Sequence, residues 1–294
     1  MAWLDEAFHR ALVEAVLVGT ASGLIGVHVV LRRRAFFTMA MTHATFPGVV
    51  VAAVTGLNLY LGGAAAGVLA AFAVTALARR RGHDASTATA VALAAGFALG
   101  VALMSARAGF TKDLTAYLTG SILTVGDQDL VVAAAVTAAV ALVVALLHKE
   151  LLFTAFDPAG ARAAGYRTGV LDLLVLVLIE AVVATAVPAA GTILTLALVV
   201  APAGAARLWT DRLAPMTGLA VAIAVASATG GLYLSRAFDV AAGGAISLLA
   251  AAGFAVSAIS ARRWSPAAPA EPASPGPRSA PDGALPRHQP VRRP

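Results

Sequence analysis

His43 lies in an otherwise apolar run of the sequence, with Met39 four residues before it and Pro47 four residues after it. Residues four apart share one face of an α-helix, so a helix here would present a thioether and an imidazole side by side. Pro47 would free a main-chain carbonyl near that face, and Thr42 and Thr45 would add hydroxyl groups. The pattern predicts part of a polar site on a transport pathway; a histidine that merely hydrogen-bonds a neighbouring helix is the alternative.

The composition indicates which kind of element must position this histidine. Of the 294 residues, 60% are hydrophobic and only 12% are charged, and the mean hydropathy is +0.85. So few polar residues cannot cover a soluble globule, and the chain is predicted to be an all-α bundle of transmembrane helices. The sequence has no cysteine, which leaves histidine, carboxylate, methionine and main-chain oxygen as metal ligands. No soluble basic domain carries the net charge of +6, so nucleic-acid binding is not predicted.

Nine apolar segments are long enough to span a bilayer, which takes about 20 helical residues. They are residues 11–31, 35–55, 62–78, 87–105, 129–147, 170–187, 191–208, 214–234 and 243–260. Lysine and arginine concentrate after the odd-numbered segments, so the positive-inside rule predicts an outer N-terminus and a cytoplasmic C-terminus. Residues 117–126 are apolar but too short to cross, and we expect a re-entrant or interfacial helix there. The bundle is therefore predicted to have eight or nine spans.

The domain organisation follows from a change of composition near the C-terminus. Residues 1–263 are predicted to form the transmembrane domain. From 264 to 294 the chain consists mainly of Pro, Ala, Gly, Ser and Arg with almost no large apolar side chain. Such a segment cannot bury enough surface to fold, and we expect a disordered cytoplasmic tail.

The connection between the fifth and sixth segments carries the signals of a short helix. Asp157 is a good N-cap, and Pro158 suits the first helical position. Gly165 is a typical stop signal. A short helix on the inner face predicts a docking surface for a partner protein; an ordinary loop between two spans is the alternative.

Proline and glycine interrupt the apolar runs at four positions. Pro188 and Gly191 bracket a very tight connection between two segments, and Pro202 lies inside an apolar run, where it would kink or break the helix. Broken helices near the membrane midplane are common in transport pathways. We therefore assign Pro47, Pro188, Gly191 and Pro202 as pathway or helix-break positions.

Four interruptions of the apolar runs, at residues 32–48, 150–166, 187–207 and 235–244, in this order resemble the permease family of bacterial ATP-binding-cassette importers for manganese, zinc and iron. The resemblance covers the chain up to about Ser260. It rests on four motifs, which are Gly26-x-x-x-x-Leu31-Arg32-Arg33 running into Thr42-His43-Ala44-x-x-Pro47-Gly48, Leu118-Thr119-Gly120-Ser121-Ile122-Leu123, Phe156-Asp157-Pro158-x-x-Ala161-x-x-x-Gly165, and Pro202-Ala203-x-Ala205-Ala206-Arg207.

The resemblance implies a multi-pass permease in the bacterial cell (inner) membrane. By this resemblance two copies would pair as a homodimer with two ATP-binding-cassette ATPase subunits and receive metal from an extracytoplasmic metal-binding protein. The helix between Asp157 and Gly165 would dock on the ATPase, with Pro158 and Ala161 among the coupling residues. The chain has no G-x-x-x-x-G-K-[ST] phosphate loop, so we expect a transport subunit and no enzyme, with ATP used by the partner and no permanently bound cofactor.

One departure from the family pattern affects the expected metal. Relatives usually read Gly-Asp-Ala-Leu-Ser-His where this chain reads Thr-Met-Ala-Met-Thr-His, so Met39 replaces an acidic residue one turn before His43. Without that carboxylate a hard ion such as Mn²⁺ is less attracted, whereas imidazole suits Zn²⁺. We expect zinc first, then manganese or iron, with His43 as a transient ligand during alternating access.

Other classes of protein would need different residues. A proton-coupled secondary carrier would need a buried carboxylate relay, and its candidates, Glu14, Asp172 and Glu180, are scattered along the sequence. An intramembrane enzyme would need a second histidine or carboxylate at catalytic spacing from His43, which the sequence lacks. The importer is therefore the favoured hypothesis, and the secondary carrier is the alternative.

Overall fold

The computed structural model describes residues 2–78, 85–106 and 125–264, which form helices joined by short connections. The helices are α1 (Ala2–Leu31), α2 (Ala35–Ala44), α3 (Phe46–Thr55), α4 (Leu59–Ala78), α5 (Ala85–Ser105), α6 (Asp127–Leu146), α7 (His148–Phe156), α8 (Pro158–Ala163), α9 (Thr168–Trp209), α10 (Leu213–Phe238) and α11 (Ala242–Trp264). The all-α prediction is confirmed.

Nine stretches within these described ranges are long and apolar enough to cross a membrane. They coincide with the nine predicted segments, although the first begins at Glu6. The expected helix at 117–126 and the expected tail at 264–294 lie almost wholly outside the described residues. The prediction of a multi-span helical bundle therefore holds for the part of the chain that the structure describes.

Helices α1 and α9 form the centre of the bundle. Helix α1 packs against α6, α9 and α10, and α9 also packs against α2, α4 and α11. The contacts are close because glycine lies at the crossings. A Cβ on Gly26 would overlap the carbonyl oxygen of Val199 on α9, and one on Gly23 would lie 2.6 Å from the Cα of Val221 on α10. Small residues let helix backbones approach in this way inside lipid.

Helix α9 contains two spans separated at Gly191. The spans cover Thr168–Val187 and Gly191–Trp209, and Gly191 has φ of 81°, a backbone conformation that favours glycine. The predicted tight connection after Pro188 is therefore present. Among the described residues of α9, Gly191 alone departs from helical angles, so Pro202 does not break the second span as the sequence suggested.

The second predicted segment is divided into α2 and α3 at Thr45. Pro47 consequently lies in the first turn of α3 and not within an uninterrupted helix. Proline is tolerated there because N–H groups of the first turn have no intrahelical partner. Thr45 keeps right-handed helical angles, so α2 and α3 still continue as one span.

The turn from α1 to α2 is closed by two main-chain hydrogen bonds. The N–H of Arg34 donates to the carbonyl of Val29 at 2.8 Å, and the N–H of Arg33 donates to that of Val30 at 3.1 Å. This is the Schellman pattern, in which glycine usually takes the left-handed position. Here Arg33 takes it, with φ of 54°, at a cost of about 1–2 kcal/mol. The surrounding contacts must therefore hold the turn in place.

Helices α3 and α4 cross where Gly48 and Gly62 lie against each other, and this close packing can be tested. A Cβ on Gly48 would overlap the carbonyl oxygen of Gly62. Gly48→Ala should therefore lower the free energy of unfolding by about 1–3 kcal/mol, the usual cost of overpacking. The measurement is thermal or denaturant unfolding of the purified chain in detergent micelles.

Gly218→Ala is the matched control for this substitution. Gly218 is exposed on α10, and no atom lies within 4 Å of a Cβ placed there. Because alanine is the better helix former by about 1 kcal/mol, this variant should be at least as stable as the wild type. Equal stability of the two variants would contradict the close crossing of α3 and α4.

Candidate functional site

Helix α2 places the imidazole of His43 against α5. The ring is half-buried and meets Phe97 edge to face, with centroids 5.5 Å apart and an interplanar angle of 73°. Phe97 in turn stacks on Phe46 with a centroid separation of 6.1 Å. The Nδ1 atom of His43 is buried and has no hydrogen-bond partner among the described residues. A buried polar atom without a partner is costly, which makes this nitrogen a candidate ligand atom.

The polar face expected around His43 is smaller than the sequence suggested. Met39 is 40% exposed one turn before the histidine, whereas Pro47 is buried. Thr42 and Thr45 are also buried, and their hydroxyls donate to main-chain carbonyls of α2 at 2.7 and 3.3 Å. These hydroxyls satisfy the helix backbone, so the thioether and the imidazole are the groups that this face presents.

The structure does not gather further acidic or imidazole ligands around His43. Within the described ranges, no group of three or more His, Cys, Asp or Glu side chains is placed to hold a metal ion. At His43, one copy of the chain therefore offers a metal fewer than three such ligands in these ranges. Tighter coordination would need ligands from outside them or from another molecule, since zinc in a closed site takes four ligands.

Two of the three carboxylates proposed for a proton relay, Asp172 and Glu180, are separated along α9. Asp172 pairs with Arg32 near the start of α9, and Glu180 lies eight residues further along, about 12 Å away by the helical rise. The carboxylate of Glu180 is covered by α4, because a Cβ on Gly67 would overlap it. Glu14 belongs to α1, and both glutamates are fully buried without a hydrogen-bond partner in the described part of the chain. This arrangement does not favour the secondary carrier.

The segment between α6 and α9 contains the short helix that the sequence predicted. The Asp157 carboxylate accepts a hydrogen bond from the N–H of Gly160 at 2.8 Å, and Pro158 occupies the first turn of α8. After the helix, Gly165 has φ of 88° and its N–H donates to the carbonyl of Arg162 at 3.0 Å. The predicted start and stop of this helix are confirmed, although it is only six residues long.

This connecting segment, residues 148–166, exposes apolar side chains outside the spans. Within α8, Ala161 is fully buried and holds the helix against the rest of the chain. Phe156 is 62% exposed, and the ring of Phe153 meets Tyr166 edge to face with centroids 5.8 Å apart. Exposed aromatic side chains on a defined helix pair are typical of a protein-binding surface.

Sequence reasoning missed the contacts of Arg32. Its guanidinium pairs with Asp172, and it also donates to the carbonyl of Leu151 at 3.0 Å and to the hydroxyl of Thr154 at 2.7 Å. In the sequence, the arginine triplet at the end of the first span indicates only the topology of that span. Asp172, an acidic residue near the start of another span, was the available clue, but the sequence does not indicate which arginine pairs with it.

Known proteins match this chain over most of its length. The model of the ABC 3 transport family matches residues 4–261. The manganese transport system membrane protein MntC of Halalkalibacterium halodurans is 34% identical over 247 residues, which are 84% of this chain and 85% of that protein. The manganese import system permease protein ScaB of Streptococcus gordonii is 34% identical over 248 residues, covering 84% of this chain and 89% of that protein.

A solved structure supports the same relationship. The chain resembles PsaBC from Streptococcus pneumoniae in complex with Fab, with a TM-score of 0.77 and 33% sequence identity over 85% of this chain and 90% of that one. The backbone path and a third of the residues are therefore shared over the matched part of the chain. With the family model matching residues 4–261, this chain belongs to the ABC 3 transport family.

Proposed function

We propose that this chain is the permease subunit of an ATP-binding-cassette importer that carries a divalent metal ion into the cytoplasm by alternating access. The observation that carries the proposal is the family match over residues 4–261, together with relatives that are themselves named as manganese transport proteins. The nine apolar spans within the described ranges and an imidazole whose nitrogen has no partner there are consistent with a conduit for an ion. The chain contains no phosphate loop for ATP, so its energy must come from another subunit.

His43 is proposed as a transient contact for the metal ion. Its Nδ1 has no hydrogen-bond partner among the described residues, and the ring of Phe97 limits its orientation. Neutral imidazole is the form that binds a metal. A single imidazole binds weakly, and weak binding suits a conduit, because the ion must leave on the other side.

The connecting segment is proposed as the surface that docks on the ATPase subunit. The cap by Asp157 and the stop at Gly165 make α8 a defined unit, and Phe156 offers an exposed apolar side chain. We further propose that two copies pair in the membrane, so that two His43 side chains become available, and that an extracytoplasmic protein delivers the metal.

The proposed orientation has the N-terminus outside and the connecting segment in the cytoplasm. Arg32 contacts α7, so the arginine-rich turn after α1 lies at the same end of the bundle as the connecting segment. At the opposite end, Arg10 pairs with Asp127 at 3.3 Å. An excess of arginine at one end agrees with the positive-inside rule for a protein of the bacterial cell membrane.

We place manganese first among the metals, followed by zinc and iron. The sequence placed zinc first because Met39 replaces the acidic residue that relatives usually have. The names of the relatives favour manganese. The substitution at Met39 changes one position on an exposed helix face and leaves ligands from other parts of the assembly in place. Met39 should nevertheless shift the preference toward softer ions, because thioether sulfur binds hard ions poorly.

The first test compares metal uptake by variants of this face. Proteoliposomes that contain the permease, its cognate ATPase and its metal-binding protein should take up Mn²⁺ with ATP, and His43→Ala should lower the rate about tenfold, as expected for loss of one metal contact worth about 1.4 kcal/mol. Met39→Asp adds a carboxylate one turn away and should increase the preference for Mn²⁺ over Zn²⁺. Radioactive ⁵⁴Mn and ⁶⁵Zn measure both rates.

Val51→Ala is the matched control, because Val51 is exposed on α3 of the same span and has no ligand atom. If His43→Ala and Val51→Ala had the same uptake rate, His43 would not be a metal contact, and the importer proposal would stand. Uptake that follows a proton gradient and ignores ATP would instead support the secondary carrier.

The second test concerns docking through α8. Asp157→Ala removes the N-cap, which stabilises a helix by about 1 kcal/mol, and binding of the ATPase subunit should weaken by about fivefold. Asp157→Asn keeps a capping oxygen and should bind as the wild type does. Dissociation constants from the purified chains in detergent are the measurement, and identical affinities for the alanine and asparagine variants would argue against docking through this helix.

A further inference from the structure

The guanidinium of Arg32 joins three parts of the chain that are distant in sequence. It extends from the end of α1, forms an ion pair with Asp172 of α9 and donates to Leu151 and Thr154 of α7. The Arg32 side chain is only 7% exposed. A buried guanidinium with three partners is held in one geometry, because its planar fork fixes the directions of the donors.

Arg32 is connected through a short turn to α2, the helix that carries His43. Arg32 precedes the strained turn at Arg33, and α2 begins at Ala35. His43 lies eight residues further on, about 12 Å along the same helix. Because the turn is short and closed by main-chain hydrogen bonds, a displacement of Arg32 must also displace the start of α2.

Arg32 is also bound to the connecting segment through α7. Leu151 and Thr154 belong to α7, which ends at Phe156, and Asp157 then caps α8. Arg32 binds the main-chain carbonyl of Leu151, so it is attached to the backbone of α7 and not only to a mobile side chain. Leu151 itself is fully buried in the core that the spans share, so α7 is packed against the spans.

We propose that Arg32 is a positioning residue that transmits movement of the connecting segment to α1, α2 and α9, an inference that rests on the proposed docking of the ATPase. When the ATPase moves α8, α7 moves Arg32, and Arg32 moves the turn that leads into α2. Arg32 touches neither ATP nor the metal. Its loss should therefore disconnect ATP hydrolysis from transport without abolishing either partner's binding.

The experiment measures metal uptake and ATP hydrolysis in the same proteoliposomes, prepared from full-length permease, cognate ATPase and metal-binding protein with ⁵⁴Mn²⁺ as the probe. In Arg32→Gln and Arg32→Lys, uptake per ATP hydrolysed should fall about tenfold, as expected when a charge-assisted contact is lost, while co-purification of the ATPase is retained. Lysine keeps the charge but cannot reach three acceptors in fixed directions. A role confined to folding would lower uptake and hydrolysis together and leave their ratio unchanged.

Arg33→Gln is the matched control, because it removes the same charge from the same turn and Arg33 is exposed; its ratio should equal that of the wild type. Thr154→Val removes one of the three acceptors and replaces the Arg32 variants if they do not fold. Its uptake per ATP hydrolysed should fall about threefold, less than in the Arg32 variants, because the other two contacts of Arg32 remain. A wild-type ratio in Arg32→Lys, or in Thr154→Val where Arg32 variants do not fold, would overturn the inference and leave the importer intact. Absence of ATP-dependent uptake by the wild type would overturn both.

Discussion

Helices in lipid gain little from the hydrophobic effect when they associate, because lipid tails are as apolar as leucine. Their packing therefore depends on how closely their backbones can approach. In this chain the approach is made possible by glycine at the crossings of α1 with α9 and α10 and of α3 with α4. Since α3 continues the span that carries His43, the position of the candidate metal contact depends on these small residues.

The polar groups of these helices differ in whether they have a hydrogen-bond partner. Thr42 and Thr45 satisfy main-chain carbonyls within their own span, and Asp157 satisfies an N–H at the start of α8. By contrast, His43 retains a buried nitrogen without a partner in the described ranges. A protein interior rarely leaves such an atom unpaired. Glu14 and Glu180 also keep buried carboxylates without a partner there, and His43 is the one of these three residues that lies where the family resemblance suggested a ligand.

The two proposed working parts, the face of His43 and the connecting segment, are joined through Arg32. The structure gives this residue an ion pair and two hydrogen bonds to other segments, and the turn that follows it holds Arg33 in a conformation that costs about 1–2 kcal/mol. Strain of this kind persists only where neighbouring contacts hold it. In the part of the chain that the structure describes, closely packed helices are thus combined with a polar junction at one end.

The sequence by itself determined the features that depend on neighbouring residues. The nine spans of the described ranges followed from apolar length. The limits of α8 followed from Asp157, Pro158 and Gly165, because caps and stops act over one helical turn. The tight connection before Gly191 followed from its glycine and the preceding proline. The sequence also pointed to His43, since an imidazole within an apolar run is unusual.

Only the tertiary structure decided the features that join distant segments. Arg32 meets residues 119, 122 and 140 positions away, and no local pattern distinguishes it from the two arginines that follow. The division of the second span at Thr45 and the helical angles maintained at Pro202 were likewise visible only in the structure. Which polar atoms find partners is settled by the helices that surround them, because inside a membrane only other protein groups can supply those partners.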